Sequence, residues 1–421
     1  MTEILRTQRQ AQLSVDHALS TSRSSPAGGN MPKFIQQHRD KNLVAAVLPL
    51  LLILCILLTC SERKTPVKIG FASSLTGKLS DLGIPARNAV MLAVKEKNQQ
   101  GGLLGRPIVL LVRDDKHDPD TAVRVDKELI DAGVVAIIGH VTSSMSEAAL
   151  PLIDEHKMLM ISPTTASSRL AGMKDYFFRM YEPVRVNAGD LAELVYAKRS
   201  VGRIAAIYDL SNQTYTEDYY QSFKLAYERL GGRIVQTQTF SSGQPGGLLH
   251  LVEKMKESNP DGVLIVAGGL DTALICQQIA KLSWHPTLLA SPWSMTNDLV
   301  KHGGRSVDGI LSIIPLNPDD DSPRYQAFRD RFRMEFGQQP GFSAVCAYEA
   351  AMALFLAYEK AAGNVSRLPD TLLAIQRFPG LQGEIQIDEF GDAKRRAFIT
   401  TVKDGRMTTV REQHEDASSS K

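Results

Sequence analysis

From Pro66 onward the chain alternates between short apolar runs rich in Ile and Val and longer amphipathic stretches, and this alternation leaves few folds open. The runs are VKIGFA, PIVLLVRDD, VVAIIGH, KMLMIS, RIAAIYD, RIVQTQTF, DGVLIVAGG and PTLLAS. Short continuous apolar runs suit strands of a parallel sheet covered on both faces. Between the first two runs, Ala86, Ala89, Val90, Ala93 and Val94 recur at three- and four-residue spacing, the signature of one buried helix face over Ile84–Gln99. Gly101 and Gly102 end that helix. Comparable patterns predict helices over Pro119–Asp131, Ser144–Glu155, Val186–Lys198, Tyr215–Leu230, Leu248–Ser258, Asp271–Leu282, Arg324–Phe336 and Ser343–Ala361. Repeated strand–helix units predict a doubly wound α/β architecture. One set of units runs from about 66 to 182 and a second from about 183 to 314. The remaining residues hold two long helices and a few strands, too little for a third domain, so they must add onto the first two.

The segment before Pro66 is of a different kind. Residues 1–42 are polar and read as unstructured. An uncharged apolar run, Leu43–Thr59, follows Lys33, Arg39 and Lys41, which is the layout of a secretory signal. It sits deep for such a signal, but a start at Met31 would give an ordinary charged leader, so residues 1–30 are expected to come from a start codon assigned too early. The run ends in LLTC and resembles the lipobox of bacterial lipoproteins, in which a Cys is lipidated; Cys60 would be that residue, with Thr59 a poor match to the usual Gly or Ala. An uncut signal anchor and a cleaved soluble precursor are the competing readings. The run lies at the short limit for spanning a bilayer. In each case residues 61 onward are expected outside the cytoplasm, in the periplasm or at the cell surface.

Composition removes several functions. A net charge of +2 over 421 residues gives no electrostatic footprint for nucleic acid. The four cysteines include no CxxC pair and no Cys/His spacing of a zinc site, so no metal or cofactor is expected. Cys276 and Cys346 fall on apolar helix faces and read as buried thiols. The opening loop, IGFASSLTGKLSDLG, is not a phosphate-binding P-loop. Six residues rather than four separate Gly70 and Gly77, and Leu79 follows Lys78 where Ser or Thr is required.

Ligands of open α/β sheets bind beyond the carboxyl ends of the strands. Hydroxyls and amides dominate there. Thr142, Ser143 and Ser144 follow VVAIIGHV and open a helix, whose free N–H groups and partial positive charge favour a carboxylate. Ser143 or Ser144 would equally serve as a helix cap. His140 stands close by, but no GxSxG elbow and no base–acid pair accompanies these serines, so no catalytic residue and no enzyme is expected.

Taken in order, KIGFASSLTGKLSDLG, NQQGGLLGRPIVLLVRDDKHDP, GVVAIIGHVTSSMSEAALPLIDEHKMLMISPTTAS, YFFRMYEP and YEAAMALFLAY resemble the type I periplasmic solute-binding proteins of ATP-driven (ABC) importers. The branch is that of the branched-chain amino-acid-binding, leucine-binding-protein-like members, and the resemblance covers about Pro66 to Val410. It implies two α/β lobes, each with a parallel central sheet, joined by three hinge crossings near Arg179–Pro183, Ile313–Asn317 and Leu381–Asp392. Lobe 1 would comprise 66–182 with about 315–381, and lobe 2 would comprise 183–314 with about 382–410, leaving 411–421 as a disordered tail. A ligand would be trapped between the lobes and presented to a permease.

The same resemblance implies the site. Ser143, flanked by Thr142 and Ser144, and the loop Thr164, Thr165 and Ala166 would hold the ligand carboxylate. A hydroxyl is usual where Ala166 stands, so Thr165 or Ser167 would substitute. Tyr215 would line the cleft from the second lobe. Three departures concern the rest of the ligand: Trp293 stands where an acid usually grips the ammonium, and Leu270 and Leu82 stand where aromatic residues are expected. Two cysteines bridged in some relatives correspond to His117 and Thr142, so that disulfide is absent. Without an acid at Trp293 an amino-acid ammonium lacks its counter-ion, and a buried unpaired charge is costly. Asp271 is the replacement within reach, or else it only favours the first turn of its helix. A small carboxylate with an apolar or aromatic body, stacked on Trp293, therefore competes with an amino acid as ligand. The expected role is capture for an importer, with membrane attachment through a lipid or signal anchor; a ligand-sensing receptor acting with a separate signalling partner is the alternative.

Overall fold

The computed structural model describes residues 64–77, 79–199, 201–243 and 247–410. The polar leader 1–42, the apolar segment 43–60 with Cys60, and the tail 411–421 lie outside the described residues. Alternation produces the first lobe in a simple way. β1 (Val67–Ser73) is buried at every position but Lys68. It is followed by α1 (Ser80–Gln99), β2 (Ile108–Asp114), α2 (Pro119–Asp131), β3 (Ile137–Gly139), α3 (Ser143–Glu155), β4 (Met160–Ser162) and β5 (Phe177–Arg179). The five strands form one parallel sheet in the order β2-β1-β3-β4-β5. Strand order reverses between β1 and β3, so the loops after these two strands flank a crevice.

The second lobe repeats the scheme. α4 (Val184–Glu193), β6 (Arg203–Asp209), α5 (Gln213–Arg229), β7 (Arg233–Phe240), α6 (Leu248–Glu257), β8 (Gly262–Val266), α7 (Gly269–Lys281), β9 (Thr287–Ala290), α8 (Asn297–Gly303) and β10 (Leu311–Ile314) follow in turn. The chain then forms α9 (Pro323–Phe336), α10 (Phe342–Lys360), α11 (Leu368–Ile375), a small antiparallel sheet of β11 (Arg377–Pro379), β12 (Glu384–Ile387) and β13 (Ala393–Lys394), and the hairpin β14 (Phe398–Lys403) and β15 (Arg406–Thr409). The second sheet runs β15-β14-β10-β9-β8-β6-β7, with β14 antiparallel to β10. Its order reverses between β6 and β8.

α9 and α10 return to the first lobe and pack on α1. α10 is apolar around its whole circumference and long enough to cross a membrane, but nearly all of it is buried, which marks it as a core helix of the lobe. Residues 180–183 link β5 to α4, residues 315–322 link β10 to α9, and residues 395–397 link β13 to β14. Buried charges brace these passages. Arg179 donates to Asp392 at 2.7 Å and to the Ser167 carbonyl at 2.8 Å. Arg395 donates to Glu349 at 2.7 Å and to the Met180 carbonyl at 3.1 Å. Removing one member of such a pair leaves an uncompensated buried charge.

Candidate functional site

The site begins with how the ends of β1, β2 and β3 are fixed. Asp114, at the end of β2, accepts from the Leu75 N–H at 2.9 Å and from Thr76 Oγ1 at 2.7 Å, and so fastens the opening loop. Asp115 accepts from Ser74 Oγ at 2.7 Å and from the His117 N–H at 2.8 Å. The other Asp115 oxygen pairs with His140 Nδ1 at 2.6 Å, and Asp126 holds His140 Nε2 at 3.1 Å. Burial opposes a charged imidazole here, but the Asp126 and Asp115 carboxylates outweigh it and hold His140 up at about 10. His140 is therefore an imidazolium clamped under the binding loop, not a general base. Gly139 makes this turn possible: its φ is +145°, and a Cβ would lie 2.2 Å from the Ala72 carbonyl oxygen.

On that base α3 starts at Ser143. Ser143 Oγ accepts from the Ala166 N–H at 3.3 Å and the Ser167 N–H at 3.2 Å. With both lone pairs occupied, the Ser143 hydroxyl has its hydrogen left to donate. Thr164 Oγ1 donates to the Val141 carbonyl at 2.6 Å, which ties the loop after β4 to the loop after β3. Thr165 lies deeper, bonded to Ser146 Oγ at 2.7 Å and to the His140 carbonyl at 3.2 Å, and Ser167 Oγ donates to Asp218 at 3.0 Å. Neither hydroxyl substitutes for the one missing at Ala166, because both already have partners elsewhere.

The two lobes meet around these loops. The Ser144 N–H donates to Asn212 Oδ1 at 3.2 Å, and the Thr214 N–H donates to Ser144 Oγ at 3.4 Å. Ser144 is thus a bridge to α5 and not part of the cavity wall. His117 Nε2 contacts the Ser211 carbonyl at 2.9 Å, while His117 Nδ1 lies 3.4 Å from Thr142 Oγ1, so these two side chains adjoin without any disulfide. Asp218 also accepts from the Ser168 N–H, and Arg169 pairs with Glu217 at 3.1 Å.

Between the lobes lies a small cavity, partly open to solvent. Leu82, Val141, Thr142, Ser143, Thr164 and Ala166 line it from the first lobe, and Asn212, Tyr215, Pro292 and Trp293 from the second. Tyr181 closes it from the first hinge passage and Phe342 from the start of α10. Among the described residues, no Asp, Glu, Lys, Arg or His lines it. Aromatic rings form much of the wall: Trp293 meets Tyr215 edge-on at 6.0 Å, and Tyr181 meets Phe342 edge-on at 6.0 Å. Burial pushes the Tyr181 and Tyr215 hydroxyls well above their usual range, so both keep their protons at neutral pH.

Seven of the residues singled out in the sequence line this cavity: Leu82, Thr142, Ser143, Thr164, Ala166, Tyr215 and Trp293. Leu82 does so from the first turn of α1, which begins four residues earlier than its apolar pattern predicts. Ser144, Thr165, Leu270 and Asp271 do not line it. Asp271, in the first turn of α7, accepts from Ser242 Oγ at 2.5 Å. Val141, Tyr181, Asn212, Pro292 and Phe342 complete the wall and were not anticipated. Tyr181 sits in YFFRMYEP and Phe342 directly before the SAVCAYEAAMALFLAY helix, so their proximity to those segments was the available signal.

The profile of the family described as Periplasmic binding protein matches residues 66–406. The leucine-, isoleucine-, valine-, threonine-, and alanine-binding protein of Pseudomonas aeruginosa is 23% identical over 354 residues, covering 84% of this chain and 91% of that protein. The crystal structure of a leucine binding protein LivK from Thermotoga maritima superposes with a TM-score of 0.76 at 25% identity, covering 82% of this chain and 98% of that one. A solute binding protein of an ABC transporter from Rhodopseudomonas palustris, solved in complex with 3,4-dihydroxy benzoic acid, superposes with a TM-score of 0.74 at 23% identity, covering 82% and 96%. Matched over most of its length, with two lobes enclosing an uncharged cavity, this chain belongs to the periplasmic binding protein family of solute-binding proteins.

Proposed function

We propose that this chain captures a small carboxylate between its lobes, outside the cytoplasm, and delivers it to the permease of an ATP-driven importer. The observation that carries this reading is the Ser143 hydroxyl at the N-terminus of α3. It accepts from two loop N–H groups, keeps its hydrogen for a ligand, and faces a cavity with no charge of its own. An anion is stabilised there by the helix N-terminus. A cation meets no carboxylate among the described residues that line the cavity. The body of the ligand meets Leu82, Tyr215, Trp293 and Phe342, a wall suited to a flat or branched apolar group. An organic acid without an ammonium group fits these conditions better than an amino acid. Relatives bind both kinds: the Pseudomonas protein is named for aliphatic amino acids, and the Rhodopseudomonas protein was solved with an aromatic acid. Lobe closure removes the ligand from water and creates the surface the permease reads. Lipidation of Cys60 would keep the protein beside that permease.

The test is calorimetric titration of the purified protein against two sets of ligands, aliphatic amino acids and aromatic or aliphatic acids lacking an ammonium. Binding confined to the second set is the expected result. Binding of an amino acid in preference to its deaminated analogue would overturn the reading.

A further inference from the structure

Two cavity-lining side chains hold buried hydrogen-bond donors that the protein leaves unused. Tyr181 OH and Trp293 Nε1 are both buried, and neither has a hydrogen-bond partner. A buried donor without an acceptor is unfavourable, and native proteins rarely keep one without a use. Among the described residues the Tyr215 hydroxyl is a third such donor, although it lies near Ser291 and the Trp293 backbone within its own lobe. Tyr181 stands on the hinge, and Tyr215 and Trp293 on the second lobe. The Ser143 donor stands on the facing, first-lobe wall.

We infer that the ligand carries a second oxygen, remote from its carboxylate, and that Tyr181 and Trp293 read this oxygen by donating hydrogen bonds to it. This inference rests on the carboxylate being held at Ser143. The second group is an acceptor such as a ring hydroxyl or a carbonyl. An ammonium in that place would meet no carboxylate among the described lining residues. Tyr181 and Trp293 are thus specificity-determining residues, and apolar acids of the same shape are discriminated against because they leave both donors unpaired. Discrimination of this kind is stronger than discrimination by fit alone, because a polar site built for an oxygen rejects the analogue lacking it.

The experiment is titration calorimetry of the full chain and of Tyr181→Phe and Trp293→Phe with benzoate, 3-hydroxybenzoate, 4-hydroxybenzoate and 3,4-dihydroxybenzoate. For the unmodified protein at least one hydroxylated acid should bind about tenfold or more tighter than benzoate. In each variant that advantage, taken as a ratio to benzoate in the same variant, should shrink severalfold, with circular dichroism showing that the variant is folded. Equal affinity for benzoate and all three hydroxylated acids would overturn the inference and leave the carboxylate reading standing. A hydroxyl advantage unchanged in both variants would overturn the assignment to these two donors. Failure of all four acids to bind would remove the carboxylate reading and the inference together.

Discussion

Asp81 should make ligand capture depend on pH. It stands in the first turn of α1, on the first lobe, and reaches across to the second. Oδ2 accepts from the Gly269 N–H and from Thr296 Oγ1, each at 3.4 Å, while Oδ1 is buried without a hydrogen-bond partner among the described residues. Asp298 borders the same polar chamber between the lobes. Burial pushes the Asp81 carboxyl up from 3.8 to about 7; the Gly269 N–H opposes this and Asp298 adds to it. Opening the lobes removes Gly269, Thr296 and Asp298 and returns the carboxyl to water. Below its unperturbed value the group is protonated in the open and closed forms alike and does not bias closure. As pH rises from about 4 to 7 the open form ionises first, so closure weakens progressively, and above about 7 the penalty is constant. A displacement of about three pH units corresponds to ~4 kcal/mol. Asp81 keeps partial exposure, and water relaxing around it should reduce the penalty to ~2 kcal/mol. Asp81→Asn keeps the shape and removes the charge, so at pH 8 the variant should bind about tenfold or more tighter than the unmodified protein. That gap should narrow severalfold by pH 4.5. Titration calorimetry of both proteins at each pH checks this, and the ratio between them cancels the ligand's own titration. A ratio that stays constant from pH 4.5 to 8, or a variant that binds more weakly at pH 8, would refute the argument.

Ser143→Ala removes the carboxylate donor and strands the Ala166 and Ser167 N–H groups, so affinity should fall about ten- to a hundredfold; a loss within twofold counts against Ser143 as the anchor. Asp126→Asn takes one of the two carboxylates from the buried His140 and should cost ~3–5 kcal/mol of stability. His140 is held at about 10, above its unperturbed 6.5, so its contribution is complete below about pH 6.5 and is lost as pH rises through about 10. In Asp126→Asn the alkaline edge of a Tm–pH curve should move toward neutrality, which differential scanning calorimetry between pH 6 and 10.5 would measure. The chain has two tryptophans, Trp284 and Trp293, and only Trp293 lines the cavity. Ligand-induced fluorescence change should therefore survive in Trp284→Phe and vanish in Trp293→Phe.

The parts of this site that could be read in the sequence share one property: each lies just after a buried strand, in a loop whose place follows from doubly wound topology. Ser143 and Thr164 follow β3 and β4, and the reversal between β1 and β3 sets them beside Leu82. What could not be read depends on side-chain direction or on the chain's return. Asp271 and Leu270 occupy the first turn of α7, after the right strand, but Asp271 meets Ser242 and neither residue lines the cavity. Thr165 adjoins two lining residues and points instead to Ser146. Phe342 enters the cavity only because α10 comes back to pack on α1 across a separation no local pattern encodes. The short helices α8 and α11, and strands β11 to β13, are too brief to show a period. Tyr181 illustrates the limit most sharply. The sequence places it in a crossing segment, where a tyrosine reads as packing; only the folded hydrogen-bond network shows that its hydroxyl is left over among the described residues. Specificity in such a protein thus resides in which donors remain unused after folding, a property of the whole hydrogen-bond network and of no motif within it.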